Sequence, residues 1–262
     1  IALQNNSKQT LWIIGDSHAD SLSLAGEKVA NSLGTNLKLF TATGTAFPPS
    51  GYHLKLRSNN FKKQLNDFKL LEKELYDQIK FGDFIFLSIR HPLHFGGMYY
   101  ENLKYLTFIR EDGYSFKKEN YFDEWLFSVV SLANIAQKKG AKVIIHTPTP
   151  EWEREYLNPR CSTSNIQWFN SLSKTNCQIN SKFFVDEERG IFKHLFEKLY
   201  KISSSRENIY LFDIYKFVCP ESACSFTRDG IDIFQDDDHI SPLWARDELS
   251  PRIDQFIKKI AN

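Results

Sequence analysis

Two short polar motifs near opposite ends of the chain contain the residue types of a serine-nucleophile site. Ser17 follows the apolar run 10–15 and precedes apolar residues at helical spacing, which predicts a turn between a strand and a helix. Near the other end, the sequence Asp236-Asp-Asp-His239 places a carboxylate three residues before a histidine. A serine hydroxyl is hardly ionised at neutral pH, so it needs a histidine base, which in turn needs a carboxylate to fix its tautomer.

Each motif also has a simpler interpretation. A serine at the start of a helix is often only the capping residue. An acidic turn with a solvated histidine is a common surface feature, and three neighbouring carboxylates also suit a divalent cation. The occurrence of both motifs in one α/β chain favours the catalytic interpretation over these alternatives.

The elements that must position these residues follow from the periodicity. Strand and helix patterns alternate five times, which predicts an α/β domain over residues 1–262: a single α/β/α three-layer domain with a five-stranded, mainly parallel sheet. Ligands of open parallel sheets gather beyond the carboxyl ends of the strands, where Ser17 is predicted. The expected strands are 10–15, 37–41, 83–89, 142–147 and 208–212; the expected helices are 22–33, 61–80, 121–139, 183–201 and a last one after Pro242.

The two motifs together resemble the SGNH (GDSL-like) hydrolase family. Gly15-Asp16-Ser17 is similar to the first block of that family, and Asp236-x-x-His239 is similar to its last block. More narrowly, the runs Gly-Asp-Ser-His-Ala and Asp-Asp-His-x-Ser resemble the extracytoplasmic SGNH domain fused to membrane acyltransferase-3 proteins, such as bacterial O-antigen O-acetylases. The resemblance implies the flavodoxin-like SGNH hydrolase fold.

The same resemblance implies roles for individual residues. Ser17 corresponds to the nucleophile, His239 to the base and Asp236 to the carboxylate that orients the base. Asp237 and Asp238 are rivals for the last role, although Asp238 is adjacent to the histidine and therefore poorly placed to turn back on it.

The chain departs from the family pattern after its third predicted strand. A Gly-x-Asn-Asp block is expected there, yet the sequence reads Ser88-Ile-Arg-His-Pro92, without an asparagine to donate to an oxyanion. The family's second-block glycine corresponds to Gly44, whose N–H would join that of Ser17. Arg90 is either the missing oxyanion donor or a structural ion-pair partner. His146 ends a strand at the predicted edge and is expected to line the pocket.

The composition excludes several classes of protein. The 262 residues are 42% hydrophobic and 15% aromatic, which is enough to bury a core and is unlike a disordered tail. With 33 basic and 32 acidic side chains the net charge is +1, so nucleic acid is not an expected partner. No stretch approaches the ~20 consecutive apolar residues of a membrane helix. The chain starts at Ile1 without a signal peptide, so we expect a segment of a longer protein.

The four cysteines indicate an oxidising compartment. The short loops favour the disulfides Cys161–Cys177 and Cys219–Cys224 among three possible pairings. A zinc site and unrelated buried thiols are the alternatives, but no Cys-x-x-Cys is present.

Other side chains give weaker signals. His91-x-x-His94 invites a metal, but no third ligand has a recognisable spacing and Pro92 argues against a helix, so no metal is expected. Three aromatic residues in the long loop after the fourth strand form either a sugar-stacking platform or local core: Trp152, Tyr156 and Trp168.

The expected function is therefore that of an O-acetyltransferase domain. By resemblance, it moves an acetyl group through a serine ester to a sugar hydroxyl of a cell-surface glycan, such as lipopolysaccharide O-antigen. The domain itself binds no cofactor, and its acetyl donor, derived from acetyl-CoA, comes from a membrane-embedded acyltransferase-3 domain of the same full-length chain. This places it on the periplasmic side of the bacterial inner membrane. A carbohydrate O-acetyl esterase and a non-catalytic glycan-binding module are the alternatives.

Overall fold

The computed structural model describes residues 2–3, 7–49, 52–54, 58–95, 108–110, 115–116, 118–151, 178–180, 191–220 and 223–261. The strands are β1 (Ala2–Leu3), β2 (Thr10–Gly15), β3 (Asn36–Thr41), β4 (Tyr52–Leu54), β5 (Phe84–Ser88), β6 (Phe108–Arg110), β7 (Ser115–Phe116), β8 (Lys142–His146), β9 (Gln178–Asn180), β10 (Ile209–Phe212), β11 (Ala223–Ser225), β12 (Thr227–Arg228) and β13 (Ile231–Asp232). The helices are α1 (Ser17–Ser21), α2 (Ser23–Leu33), α3 (Ser58–Gln78), α4 (His91–Phe95), α5 (Lys118–Lys138), α6 (Ile191–Ser204), α7 (Tyr215–Val218), α8 (Pro242–Trp244) and α9 (Ser250–Ala261), with a π-helical turn at Ala245–Leu249.

The central sheet confirms the predicted α/β architecture. Five parallel strands lie in the order β3-β2-β5-β8-β10, which is the flavodoxin-like arrangement. The two-residue β1 adds an antiparallel edge strand beside β3, which a segment this short could not reveal through its periodicity. Gly15 pairs with Thr41 on one side and Ser88 on the other, so three neighbouring strands end at one level.

Both faces of the sheet are buried because apolar side chains alternate along each strand. In β2, Leu11 and Ile13 belong to one core, while Trp12 and Ile14 belong to the other. Helices α2 and α9 cover the first face, and α3, α5 and α6 cover the second. Each fully buried side chain of this size contributes roughly 1.5–3 kcal/mol, so the two cores hold the sheet edge rigidly in place.

Element boundaries differ modestly from those predicted. Helices α3 and α5 begin three residues earlier than the apolar periodicity indicates, and α6 begins at Ile191 rather than at residue 183. The last helix does follow Pro242, but the π-helical turn interrupts it.

Within the described ranges, three small sheets were not predicted. They are β4-β6-β7, β9-β11 and the hairpin β12-β13. The hairpin turns at Asp229-Gly230, whose φ angles of 51° and 77° are the conformation that an Asp-Gly pair favours in tight hairpins.

One of the two predicted disulfides lies among the described residues and is confirmed. Cys219 and Cys224, with Cα atoms 4.5 Å apart, connect the end of α7 to β11. The other predicted pair, Cys161 and Cys177, and the aromatic residues Trp152, Tyr156 and Trp168 lie outside the described residues.

Gly15 generates the first testable prediction. A Cβ at this position would lie 1.6 Å from the backbone oxygen of Ser88, which cannot move without disturbing β5. We expect Gly15→Ala to lower the free energy of unfolding by roughly 3 kcal/mol or more. As a control, Gly34 has a φ of 65°, and a Cβ added there would have no neighbour within 4 Å, so Gly34→Ala should cost only about 1–2 kcal/mol. Equal losses in urea unfolding would contradict this account.

Candidate active site

Asp16 and Ser17 form the turn that follows β2. Asp16 is the N-cap residue of α1, and its Oδ1 accepts a hydrogen bond of 2.9 Å from the backbone N–H of His18. This contact fixes the backbone on either side of Ser17, the first residue of α1. Ser17 is only half-buried, so its hydroxyl lies at the open carboxyl edge of the sheet.

The second oxygen of Asp16 connects the turn to the next strand. Oδ2 accepts hydrogen bonds from the backbone N–H of Arg90 at 2.8 Å and from Nε2 of His94 at 2.9 Å. The carboxylate is completely buried. Burial would raise the pKa of Asp16, but the hydrogen bond from His94 and the charges of His18 and His94 outweigh it and hold the pKa well below its usual range. Asp16 is therefore an ionised structural link beneath Ser17.

A tight loop carries the predicted histidine. An antiparallel bridge between Phe234 and Ile240 closes the loop, and both side chains are buried in the core. Inside it, Oδ1 of Asp236 accepts from the backbone N–H groups of Asp238 at 3.1 Å and His239 at 2.8 Å. Asp236 thus folds the loop back on itself, as aspartate does in turns of this kind.

The structure brings Ser17, His239 and Asp236 together in one hydrogen-bonded series. Nε2 of His239 accepts a hydrogen bond from the Ser17 hydroxyl at 2.7 Å. Nδ1 of His239 lies 2.9 Å from both oxygens of Asp236, so it carries the proton and donates it to that carboxylate. This tautomer leaves the Nε2 lone pair directed at the serine hydroxyl, which is the geometry of a base that activates a nucleophile.

Electrostatics strengthen this arrangement. Burial lowers the pKa of His239, but the hydrogen bond to Asp236 and the charges of Asp238 and Asp236 together raise it above the usual value. Burial alone would raise the pKa of Asp236, but hydrogen bonds from the ring and backbone of His239 lower it to about 2. The carboxylate therefore stays ionised while the imidazole gains and loses a proton.

A second histidine–carboxylate pair lies beside the first. His18 donates from Nε2 to Oδ2 of Asp238 at 3.0 Å, and its ring centroid is 5.0 Å from that of His239. Asp238 also lies against His239, with Oδ1 3.4 Å from Nδ1. Asp238 was expected to be poorly placed to turn back on the imidazole, and it approaches the ring without replacing Asp236. At 2.9 Å, Asp236 still makes the shorter contact.

Arg90 connects this second pair to a buried carboxylate. Its Nη1 lies 2.9 Å from Oδ2 of Asp238, and its Nε donates to Oε1 of Glu151 at 2.7 Å. Sequence reasoning missed Glu151, which stands alone after Pro150 without a spacing pattern. Burial raises the pKa of Glu151, against the opposing charge of Arg90. Of the two roles predicted for Arg90, these contacts support the ion-pair partner.

Two other predicted site residues occupy different surroundings. Gly44 lies in the turn after β3 with a φ of 71°, and its proposed N–H donation stays a prediction. His146 is 1% exposed and, together with His18 and Ser88, lines a small pocket. It donates from Nδ1 to the Thr147 carbonyl, and its Nε2 lies 3.0 Å from the Ser88 hydroxyl. Burial is the main reason that the pKa of His146 falls to about 4, so it remains neutral.

The region around His91 and His94 corrects a further expectation. Residues 91–95 form the short helix α4 despite Pro92, because proline is tolerated in the first turn where its N–H is not needed. His94 bonds Asp16, while His91 is buried with its ring edge-on to Trp125. The two histidines thus have separate environments.

Among the described residues, two groups bring potential metal ligands within 4.8 Å of one another: His18, Asp238 and His239, and Asp236, Asp237 and Asp238. A cation at the first group would displace the hydrogen bond between His18 and Asp238. At the second group, it would compete with the hydrogen bonds that Asp236 accepts from His239.

Another groove among the described residues lies away from this site. It has a volume of about 440 Å³ and surrounds the beginnings of the parallel strands, including Phe84, Lys142 and Asn208. Its described lining contains no serine, cysteine or histidine. The hydrogen-bonded series of Ser17, His239 and Asp236 lies at the opposite edge of the sheet.

A serine, histidine and aspartate at the carboxyl edge of a five-stranded parallel sheet define a protein of the serine hydrolase and acyltransferase class. The family model for the SGNH domain (fused to AT3 domains) matches residues 2–254, and the chain belongs to this family. None of the curated proteins is a significant match. No helix in the described part of the chain is both long and apolar enough to cross a bilayer.

One solved structure shows the same fold, and a second is similar over most of the chain. The periplasmic domain of the lipopolysaccharide acetyltransferase of Salmonella ser. Paratyphi A superposes with a TM-score of 0.55 at 14% identity, over 95% of this chain and 84% of that one. A Bacteroides fragilis protein described as an acylhydrolase matches at 15% identity with a TM-score of 0.48, over 99% and 90% of the two chains.

The buried Asp16 carboxylate gives a stability prediction. Folding lowers its pKa, so its stabilising effect is fully present above the unfolded-state pKa of ~3.9 and is lost as the pH falls below that value. Asp16→Asn should therefore cost roughly 3 kcal/mol at pH 7, and less at pH 3. Urea unfolding at pH 7, 5 and 3 measures the difference. The exposed Asp247→Asn is the control, and a loss for Asp16→Asn that is the same at every pH would contradict the proposed role of the charge.

Proposed function

We propose that this chain is an O-acyltransferase domain that forms an acetyl ester on Ser17 and passes the acetyl group to a sugar hydroxyl of a cell-surface glycan, such as lipopolysaccharide O-antigen. The observation that carries the proposal is the series from the Ser17 hydroxyl through His239 to Asp236, with contacts of 2.7 and 2.9 Å. Membership of the SGNH family supports it.

In the first half-reaction, Oγ of Ser17 attacks the carbonyl carbon of the acetyl donor while His239 takes the hydroxyl proton on Nε2. Asp236 stabilises the imidazolium that forms. The tetrahedral intermediate then collapses, the bond from the carbonyl carbon to the leaving group breaks, and His239 returns the proton to that group. The acetyl group is now an ester of Ser17.

In the second half-reaction, a sugar hydroxyl takes the place of the leaving group. His239 removes its proton, its oxygen attacks the serine ester, and the proton returns to Oγ of Ser17 as the acetylated sugar departs. Hydrolysis follows the same path with water in place of the sugar. The preference for transfer therefore depends on which hydroxyl reaches the ester on the half-buried Ser17.

The oxyanion requires donors from the backbone. We propose the N–H of Ser17 as one donor; the hydrogen bond from the His18 N–H to Asp16 fixes the turn that contains Ser17. We propose Gly44 as the second donor. An oxyanion donor contributes about 10²–10³ in rate, so a site with only two backbone donors depends on both.

The family description supports a proposal for the acetyl donor and for the location. We propose that an AT3 domain in the same full-length protein supplies the acetyl group, derived from acetyl-CoA, on the periplasmic side of the inner membrane. The fusion named for the family supports this, as does the periplasmic acetyltransferase domain that shares the fold. The confirmed disulfide suits an oxidising compartment.

The nucleophile prediction is tested with an activated acetyl ester. We expect the chain to release the alcohol and to acquire one acetyl group, detected by mass spectrometry of the intact protein and its peptides. Ser17→Ala should lower the rate roughly 10⁴-fold or more and abolish the adduct, because no other group replaces the hydroxyl. Ser204→Ala, an exposed serine of α6, is the matched control. An adduct on Ser17→Ala would overturn the assignment.

Candidate oligosaccharides distinguish transfer from hydrolysis in the same assay. Acetylated sugar should form in proportion to acceptor, while free acetate falls. If added sugar does not reduce the release of acetate, the chain is an esterase and not a transferase. If the chain binds saccharides but neither accepts nor releases acetyl groups, it is a glycan-binding module.

The pH dependence gives an independent prediction. His239 is a base only when neutral, and the pKa of its imidazole is raised by Asp236 and Asp238 despite burial. The value of kcat/KM should therefore fall about tenfold per unit as the pH drops below a limit that lies above the reference ~6.5. Initial rates between pH 5 and 9 measure this limit. Constant rates throughout that range would contradict general-base catalysis by His239.

A further inference from the structure

The imidazole of His239 has a second carboxylate neighbour, which a triad does not require. Asp238 is 3% exposed and presents Oδ1 at 3.4 Å from Nδ1 of His239. Its other oxygen is held by two donors, Nε2 of His18 at 3.0 Å and Nη1 of Arg90 at 2.9 Å. The orientation of Asp238 toward His239 is thus set by groups on other elements.

Arg90 is held in place by contacts with three carboxylates. Its backbone N–H donates to the buried Asp16, its Nε donates to Glu151, and its Nη1 contacts Asp238. The guanidinium is 12% exposed, while the two carboxylates that it joins are 1% and 3% exposed. A planar fork that binds two buried carboxylates has little freedom to rotate toward a substrate.

We propose that Arg90 is a positioning residue for the base: it holds Asp238 in place through a direct ion pair and offsets the negative charge that Asp238 places beside His239. The inference rests on the proposed role of His239 and adds to it a group that the triad leaves out. Arg90 itself does not contact the acetyl group.

The charges that surround His239 determine the direction in which each of them shifts its pKa. Among the described residues, Asp236 and Asp238 face it from its own loop, His18 faces it from α1, and Arg90 follows β5. Burial lowers the pKa of His239, the two carboxylates raise it, and Arg90 lowers it. Asp237 belongs to the same loop; burial and the charge of Asp238 raise its own pKa.

Substitutions at the two ends of the ion pair should therefore act in opposite directions. Asp238→Asn removes a negative charge 3.4 Å from Nδ1 and should lower the pKa of His239 by roughly one unit. Arg90→Gln removes a positive charge and should raise it by a smaller amount. Arg90→Lys keeps the charge but not the planar fork, so the pKa of His239 should lie close to its value in the unsubstituted protein. If Arg90 had a purely structural role, the two substitutions would not shift the pKa of His239 in opposite directions.

The experiment is an NMR titration of histidine-labelled protein, in which His239→Gln identifies the resonance of His239. Because it needs no turnover, it is independent of the proposed activity. Arg90→Gln/Glu151→Gln, which removes both partners of the Arg90–Glu151 ion pair, serves if Arg90→Gln does not fold. Arg246→Gln, which breaks an exposed ion pair with Asp247, is the matched control and should leave the titration unchanged.

The outcomes separate the two proposals. Opposite shifts for Asp238→Asn and Arg90→Gln, reproduced in the acidic limit of kcat/KM, support the positioning role. A His239 titration unmoved by either substitution overturns it, even where Ser17-dependent activity persists. A loss of kcat in Arg90→Gln without any shift in pH dependence also overturns it and favours a direct oxyanion donor. Opposite NMR shifts in a chain without acetyl chemistry leave the electrostatic coupling intact and contradict only the proposed function.

Discussion

The site depends on one buried carboxylate that lies below the nucleophile. Asp16 is completely buried, and its two oxygens accept hydrogen bonds from the backbone of His18, the backbone of Arg90 and the ring of His94. Removing a carboxylate from water costs several kcal/mol, and three bonds to a charged acceptor at roughly 1.5–3 kcal/mol each offset that cost. Asp16 thus joins the ends of β2 and β5 and the start of α1. Without this link, the position of the serine hydroxyl relative to the residues after β5 would not be fixed.

The close approach of β2 and β5 is a second part of the same constraint. Gly15 faces the Ser88 backbone so closely that no side chain fits, and the next residue is the buried Asp16. The chain therefore needs a residue without a side chain, then a capping carboxylate, then a short hydroxyl residue. The order Gly-Asp-Ser has a steric, an electrostatic and a chemical reason at its three successive positions.

Much of this was accessible from the sequence, for physical reasons. The parallel strands were predicted because both faces of the sheet are buried, which leaves near-continuous apolar runs such as Phe84–Ser88. Ser17, Asp236 and His239 were found because a nucleophile at a strand end and a base with a local carboxylate leave short motifs. The pairing of His18 with Asp238 was not found, since a contact across 220 positions leaves no spacing signal. Glu151 was missed for the same reason, and β1 is too short to show periodicity.

The two carboxylates around His239 explain why a cation stands where the family pattern has an amide. Two negative charges beside His239 raise its pKa and so favour the protonated imidazole, which cannot act as a base, whereas the charge of Arg90 lowers the pKa. Arg90 supplies that charge from the segment after β5, and its contacts with Glu151 and Asp238 turn its side chain away from the role of oxyanion donor. In the proposed mechanism, backbone N–H groups therefore stabilise the oxyanion. Asp16 supports both Ser17 and Arg90, because it fixes the turn that contains Ser17 and also accepts a hydrogen bond from the backbone N–H of Arg90.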